Sequence, residues 1–187
     1  VIGIEIPPSA TQTTGAVFRS LSPTKITNRF IPTLPTVISG NFSSTWEVVP
    51  SVSRDLNFKL TVRDNVAGEG QTDSDEMKVT VNDSAGPFLV TSQNVTGISW
   101  TEGGTETVTW DVAGTTANNI NVSQVDIFLS LDGGLTFPIL LASNTSNDGT
   151  ESITVPNAIS PDVRVIVQAV GNIFYAVNST NLSLQQS

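Results

Sequence analysis

The amino-acid sequence predicts an all-β protein made of two consecutive β-sandwiches. Ser, Thr, Asn, Val and Ile are plentiful, whereas the long Leu/Ala/Glu/Lys stretches typical of helices are lacking. Short segments alternate apolar and polar residues with the period of two that half-buried strands show. Small residues followed by Gly86-Pro87 interrupt this pattern, so we place a linker at 83–87 and domains at 1–83 and 84–187.

The first domain carries strong strand signals only towards its end. Strands are predicted at 44–50, 56–64 and 76–82. An alternating pair like the last two usually closes an immunoglobulin-like sandwich. The residues predicted to face the core are Leu56, Phe58, Leu60, Val62, Met77, Val79 and Val81.

The region before these strands does not supply the early strands of such a sandwich. Its prolines disfavour central strands and leave only short edges at 15–20 and 29–32. We therefore expect a partial sandwich with an unpaired edge and a bare apolar face, which is unfavourable in water. The missing strands could lie on a segment separated by proteolysis, could be disordered, or could be lent by a neighbouring copy. For the last case, Ile2, Ile4 and Ile6 on one face of VIGIEI are the predicted donor strand.

The second domain is predicted to be a complete immunoglobulin-like sandwich of the fibronectin type III kind, with short strands at regular spacing. Trp110 shares a face with Val108 and Val112 and is predicted to fill the core. Asp132-Gly133-Gly134 supplies positive-φ residues for a hairpin turn. The predicted strands are 88–93, 97–101, 105–113, 124–132, 136–143, 151–157, 163–170 and 174–184.

The composition argues against catalysis and against nucleic acid as a partner. The formal net charge of −9 repels phosphate backbones. Without His or Cys, Ser-His-Asp triads and common zinc sites are not available. A Ser-Lys dyad would need Lys25, Lys59 or Lys78, which all lie among polar positions. We expect no enzymatic activity from this chain itself.

Two binding sites remain open as weaker expectations. The loop after residue 63 is rich in side-chain oxygens, and Asp64, Asp73 and Asp75 are Ca²⁺ candidates, although a solvated acidic loop is the simpler interpretation. Carbohydrate binding would need exposed aromatic residues. Trp46, Trp100 and Phe174 are the only plausible ones, and core packing is the alternative for each.

The start of the chain suggests a piece of a longer precursor. The first residue is Val, and VIGIEIPP lacks the basic start and cleavage site of a signal peptide. No apolar run approaches the roughly 20 residues of a membrane helix, so we expect no membrane insertion.

The segments FIPTLPTVISG, LNFKLTVRDN, DSAGPF, VTWDVAGTT and VDIFLSLDGGLTF resemble the region after the catalytic domain in secreted reprolysin-like metalloproteases of Bacteroidetes. The resemblance implies an extracellular or cell-surface location, export by type IX secretion, a protease domain upstream, and a first sandwich of the PKD-like kind that begins earlier. Asp83-Ser84-Ala85 likewise resembles the Bacteroidetes O-glycosylation acceptor, which implies a sugar on Ser84.

The leading hypothesis is a non-catalytic extracellular β-sandwich that serves a secreted metalloprotease as a spacer, adhesion or substrate-docking unit. Its partners would be the upstream protease domain or neighbouring copies of itself. The alternatives are a filament subunit assembled by strand complementation, with head-to-tail contacts, and a carbohydrate-binding module.

Overall fold

The computed structural model describes residues 7–186, which are all-β apart from one short helix. They form two compact units. Unit 1 consists of residues 7–23 and 45–83, and unit 2 of residues 24–44 and 84–186. The predicted fold class, all-β with a sandwich, is confirmed. Ile2, Ile4 and Ile6 lie outside the described residues.

Unit 1 is built on an antiparallel hairpin of β1 (Arg54–Arg63) and β2 (Thr72–Val81). The strands pair over their whole length without a bulge. Near the base of the hairpin, the buried apolar side chains of the unit are Val17, Val48 and Leu56. This small core leaves most of the hairpin without a covering layer in the described part of the chain.

The prediction of a strand at 44–50 is wrong. This segment makes an isolated bridge between Phe18 and Glu47, and the Val48 N–H donates to the Val17 carbonyl at 3.0 Å. The short run of pairing is consistent with Pro50, which has no N–H to extend a ladder. The predicted edge at 15–20 is likewise reduced to this one bridge.

Unit 2 is a β-sandwich of two sheets. One has the strand order β3-β5-β8, and the other has β4-β11-β9-β6-β7, with β10 also pairing with β9. The strands are β3 (Leu89–Val90), β4 (Ser99–Thr101), β5 (Thr105–Asp111), β6 (Gln124–Ser130), β7 (Ile139–Ser146), β8 (Thr150–Thr154), β9 (Ser160–Ala169), β10 (Tyr175–Val177) and β11 (Leu182–Gln185).

The core of unit 2 contains residues from both sheets, as the alternation of the sequence predicts. Val108 and Trp110 of β5 belong to the same buried cluster as side chains of β6 and β9. Trp110 is therefore a core residue, and this prediction is confirmed. The fully buried members from β6 and β9 are Val125, Ile127, Leu129, Val163, Val165 and Val167.

Residues 24–44 lie in unit 2, although the sequence placed them with the first domain. They contain the helix α1 (Leu34–Ile38), which has a proline in its first turn where the missing N–H costs nothing. Phe30 meets Tyr175 edge to face, with ring centroids 5.2 Å apart. Side-chain contacts such as this one are not visible in the periodicity of the sequence.

The loop after β6 is organised by Asp132. The Thr136 N–H donates to its Oδ1 at 2.9 Å, and the Thr136 hydroxyl to its Oδ2 at 2.6 Å. Gly133 and Gly134 have φ of 74° and 96°, which confirms the predicted positive-φ turn. A Cβ on Gly134 would lie 3.0 Å from a methyl of Ile38, so this glycine is also required by packing.

We expect Asp132 to make unit 2 sensitive to acid. Partial desolvation raises the pKa of Asp132, but hydrogen bonds led by those from Ser130 and Thr136 outweigh it and lower the pKa from 3.8 to about 2. A depressed carboxyl pKa stabilises the fold above the unfolded value, and this stability is lost as the pH falls from about 5 to 2.

Asp132→Asn should therefore cost about 1 kcal/mol at pH 7, because the carboxylate is exposed and its hydrogen bonds are screened. The difference in the free energy of unfolding between Asp132→Asn and the wild type should vanish near pH 2. Urea unfolding at pH 7, 4 and 2 measures it. Asp148→Asn, at an exposed position of the same unit, is the control. A difference that stays constant across these pH values would contradict the assignment.

Candidate functional site

The outer part of the hairpin is exposed on both faces. Every residue from 59 to 78 is exposed to solvent, and Leu60, Val62 and Met77 are exposed by 65, 55 and 51%. Residues that lie opposite in an antiparallel pair share a face, and the register places Met77 opposite Phe58. These four side chains form what we call the apolar face of the hairpin, and the same register places Asp75 opposite Leu60 and Asp73 opposite Val62 on that face.

The sequence predicts that Leu60, Val62 and Met77 share one face and that part of this face is bare, and both features are present in the described chain. The alternation of apolar and polar residues places these side chains on one face, because both strands have the predicted period of two. Only the base of the apolar face is covered: Leu56 is buried, and the Phe58 ring lies 5.9 Å from that of Phe18. Within residues 7–186, no second layer covers the rest.

The opposite face of the hairpin carries both signs of charge. Lys59 Nζ lies 3.2 Å from Glu76 Oε1, and Lys78 Nζ lies 3.2 Å from Asp55 Oδ2. Hydrogen bonds from Thr80 and then Lys78 hold the pKa of Asp55 below its usual value. Such exposed pairs contribute little to stability, but they show which charges a partner would meet at this face.

The outer edge of β2 presents main-chain groups to solvent. The Asp64 N–H donates to the Gln71 carbonyl at 3.3 Å, so the strict alternation of an antiparallel ladder makes Phe58–Met77 a hydrogen-bonded pair and Lys59–Glu76 a non-bonded one. The N–H and C=O groups of Glu76 and Lys78 therefore point away from β1.

Asp73 and Asp75 support this orientation and partly shield the edge. The Ser74 N–H donates to Asp73 Oδ1 at 2.8 Å, and the Glu76 N–H donates to Asp75 Oδ1 at 2.9 Å. Neither of these two amides donates a hydrogen bond to β1. Acidic residues at an exposed edge are a common protection against uncontrolled strand pairing. The predictions from sequence missed this role, although acids at alternate positions of TDSDEM were a signal for it.

The three Ca²⁺ candidates have separate hydrogen-bonding tasks. Asp64 accepts from the Val66 and Gln71 N–H groups at 3.1 and 3.0 Å, which lowers the pKa of its carboxyl and shapes the hairpin loop. Asp73 and Asp75 bond the edge amides. In the part of the chain that the structure describes, no group of three or more His, Cys, Asp or Glu is arranged to hold a metal ion.

Ser84 is exposed at the start of the main part of unit 2. Its carbonyl accepts from Asn118 Nδ2 at 3.5 Å. The preceding residue, Asp83, belongs to unit 1 and accepts from the Ser53 hydroxyl at 2.5 Å, which lowers the pKa of the Asp83 carboxyl. Ser84 is thus accessible to solvent, while its carbonyl group is held by the side chain of Asn118.

The three aromatic candidates for carbohydrate binding are engaged with other side chains. Trp100 is 1% exposed and lies in the core of unit 2. The Arg19 guanidinium stacks 3.8 Å from the ring centroid of Trp46. Phe174 packs edge to face on Phe88, with centroids 4.9 Å apart. These contacts favour the packing interpretation for each residue.

The chain matches no protein-family model and no curated protein. Among the residues that the structure describes, no helix is long and apolar enough to span a membrane.

Proposed function

We propose that this chain is a non-catalytic module of a secreted bacterial protein, and that it docks a neighbouring polypeptide on the hairpin of unit 1. The observation that carries the proposal is the bare apolar face beside an edge whose main-chain groups point outward. The resemblance of LNFKLTVRDN and DSAGPF to the region after a protease domain supports a place beside a secreted metalloprotease.

Strand addition fits this surface better than side-chain docking alone. A strand laid along β2 would bond the outward N–H and C=O groups, for instance those of Lys78, and would extend the apolar face by its alternate side chains. Each apolar side chain that it covers contributes about 25 cal/mol per Å² removed from water. The partner would need alternating apolar residues and no proline in the paired segment.

Hydrogen exchange of the hairpin amides tests this function. The probe is a nine-residue synthetic peptide that alternates valine with threonine and lysine, titrated into the full chain. We expect it to protect the amides of Glu76 and Lys78. The same peptide with N-methyl groups on the residues that face β2 should give no protection, because it cannot donate main-chain hydrogen bonds.

A matched variant separates edge pairing from nonspecific adhesion. Met77→Lys replaces the exposed apolar side chain that β2 contributes to the apolar face beside the added strand, and should weaken the protection about tenfold through lost apolar contact. Thr61→Lys, on the opposite face, should bind the peptide normally. Equal binding by the N-methylated peptide, or protection that is absent at millimolar peptide, would overturn the proposal.

A filament subunit is the second candidate function. The observation that favours it is that β1 and β2 pair only with each other among the described residues, so both edges of the hairpin are open. Pairing of β1 in one copy with β2 in the next would be heterologous, and it generates a filament when the rotation between copies does not close a ring.

We also propose that Ser84 is a sugar acceptor, on the basis of its exposure and of the Asp83-Ser84-Ala85 resemblance. Peptide mass mapping of material secreted by the native host tests this. A hexose-based mass addition on Ser84 that is lost in Ser84→Ala supports the assignment, and an unmodified peptide contradicts it.

A further inference from the structure

The outer edge of β2 has a sequence that complements itself. Resting on the docking function proposed above, we infer that the docked polypeptide is a second copy of this chain. The two β2 strands pair antiparallel about a twofold axis that passes beside Met77. The result is a closed dimer in which two hairpins form one four-stranded sheet.

Hydrogen-bond geometry limits the possible registers. The outward main-chain groups of β2 belong to even-numbered residues such as Glu76 and Lys78, as the bonds from the Ser74 and Glu76 amides to aspartate side chains support. Two copies of β2 can then bond only when even residues lie opposite even residues. Because even residues pair with even residues, the apolar faces of both hairpins lie on the same side of the four-stranded sheet.

Charge favours one register among those that remain. With Met77 on the axis, Glu76 lies opposite Lys78 of the second copy, and symmetry repeats this contact. A shift by one pair in either direction would put Glu76 opposite Glu76 or Lys78 opposite Lys78 on the axis, where like charges repel. The favoured register continues the Lys59–Glu76 ion pair into a row of alternating charge across the dimer.

The same register brings the two Met77 side chains together. Met77 is 51% exposed in the single chain and would pack against Met77 of the second copy. Within each copy, Phe58 of β1 lies next to Met77 on the side away from the axis. Met77–Met77 would be a non-hydrogen-bonded pair, in which the Cα atoms approach to about 4.5 Å. That distance is within the range that a disulfide spans.

Asp75 sets the affinity of this pairing. Its carboxylate accepts from the Glu76 N–H, which must be released before that amide bonds the second copy. The exchange replaces an exposed local bond by a main-chain bond, and it leaves the Asp75 charge opposite Val79. Dimerisation is therefore reversible and concentration-dependent, and Asp75→Ala should strengthen it.

Cysteine cross-linking of the full chain tests the register directly. The chain has no native Cys, so every disulfide must join introduced residues. Under mild oxidation, we expect Met77→Cys to form a covalent dimer at least about tenfold faster than Leu60→Cys, which is at least as exposed on the same face, because only residue 77 meets its own copy within disulfide reach. Analytical ultracentrifugation of the wild type should show a monomer–dimer equilibrium.

Charge and edge variants sharpen the test. Lys78→Glu creates two like-charge contacts and should raise the dimer dissociation constant about tenfold. Asp55→Asn removes the partner of Lys78 within the chain and should leave the constant unchanged. Asp75→Ala should lower it several-fold, since the Glu76 amide is no longer occupied.

Three outcomes would overturn the inference. The first is a wild type that stays monomeric at high concentration while Met77→Cys reacts no faster than Leu60→Cys. If the nine-residue peptide still protects the β2 amides from hydrogen exchange, the docking function stands and only the dimer is ruled out. If it does not, the docking function and the dimer both fail. The second is a ladder of cross-linked species seen only when positions 58 and 77 are both Cys, which assigns a filament. The third is cross-linking that appears only after Ile4→Pro, which assigns the edge to residues 1–6 of the same chain.

Discussion

Trp110→Ala is expected to destabilise unit 2 by about 3–5 kcal/mol, the range for removing a large buried aromatic side chain. Trp110 is 4% exposed and lies opposite Val90 in the β3–β5 pair, within the core shared by both sheets. Alanine would leave a cavity that the strands on either side cannot close without shifting. A loss of this size is a large fraction of the stability of a small domain.

The indole N–H of Trp110 also makes a buried hydrogen bond, and a second variant tests this bond separately from the packing. Its Nε1–H donates to Asn147 Oδ1 at 2.9 Å, and Asn147 Nδ2 donates in turn to the Thr115 hydroxyl and the Val122 carbonyl, both at 3.0 Å. Trp110→Phe keeps most of the ring volume but leaves the buried Asn147 oxygen without this donor. It should cost about 1–3 kcal/mol.

Guanidinium unfolding followed by fluorescence measures both variants. In a Trp46→Phe background, the remaining tryptophans belong to unit 2, so the signal reports this unit alone. Trp110→Ala should lower the free energy of unfolding more than Trp110→Phe, and both should fall below the parent. A Trp110→Ala variant within about 1 kcal/mol of the parent would show that the site is not a packed core.

Local periodicity predicted the part of the fold that depends on residues close in sequence. The alternation of Val125, Ile127 and Leu129 indicated the strand and its inward face correctly, because a side chain's direction in a strand depends only on position. The turn at Gly133 and Gly134 followed from glycine's access to positive φ. Each of these features is decided within a few residues.

Features that depend on distant partners were not predictable in this way. Whether Leu60 and Val62 are covered depends on what packs against the hairpin, and the pattern of β1 is the same in either case. The position of residues 24–44 in unit 2 depends on contacts such as Phe30 with Tyr175. The edge protection by Asp73 and Asp75 requires the direction of each amide, which only the pairing with β1 determines.

Asn178 is the clearest example, because it interrupts what the sequence presents as one strand at 174–184. The structure divides this segment into β10 and β11, with Asn178 between them and only 1% exposed. Its Oδ1 accepts from the Val165 N–H at 2.8 Å, and its Nδ2 donates to the Gln93 carbonyl at 2.7 Å. The side chain thus bonds β9 and the segment after β3 at once.

Asn178→Ala is therefore expected to destabilise unit 2 by about 3 kcal/mol, since it leaves a buried amide and a buried carbonyl without partners. Asn178→Asp has nearly the same shape but presents a second acceptor to the carbonyls of Gln93 and Thr180, which the wild-type amide reaches at 2.7 and 2.6 Å. At pH 7 it should be at least as harmful as alanine, because it buries a negative charge against two carbonyl oxygens.

The two variants should separate on acidification. Burial against two carbonyls raises the folded-state pKa of the carboxyl introduced by Asn178→Asp above its unfolded value, so the folded state binds the proton more tightly. Once protonated, this carboxyl can donate to one carbonyl. The loss of stability in Asn178→Asp should therefore shrink as the pH falls through the raised pKa, whereas the loss in Asn178→Ala should stay the same. Asn157→Ala, at an exposed position of unit 2, is the control. Parallel pH profiles for both variants would show that the Asn178 amide is not held between these carbonyls.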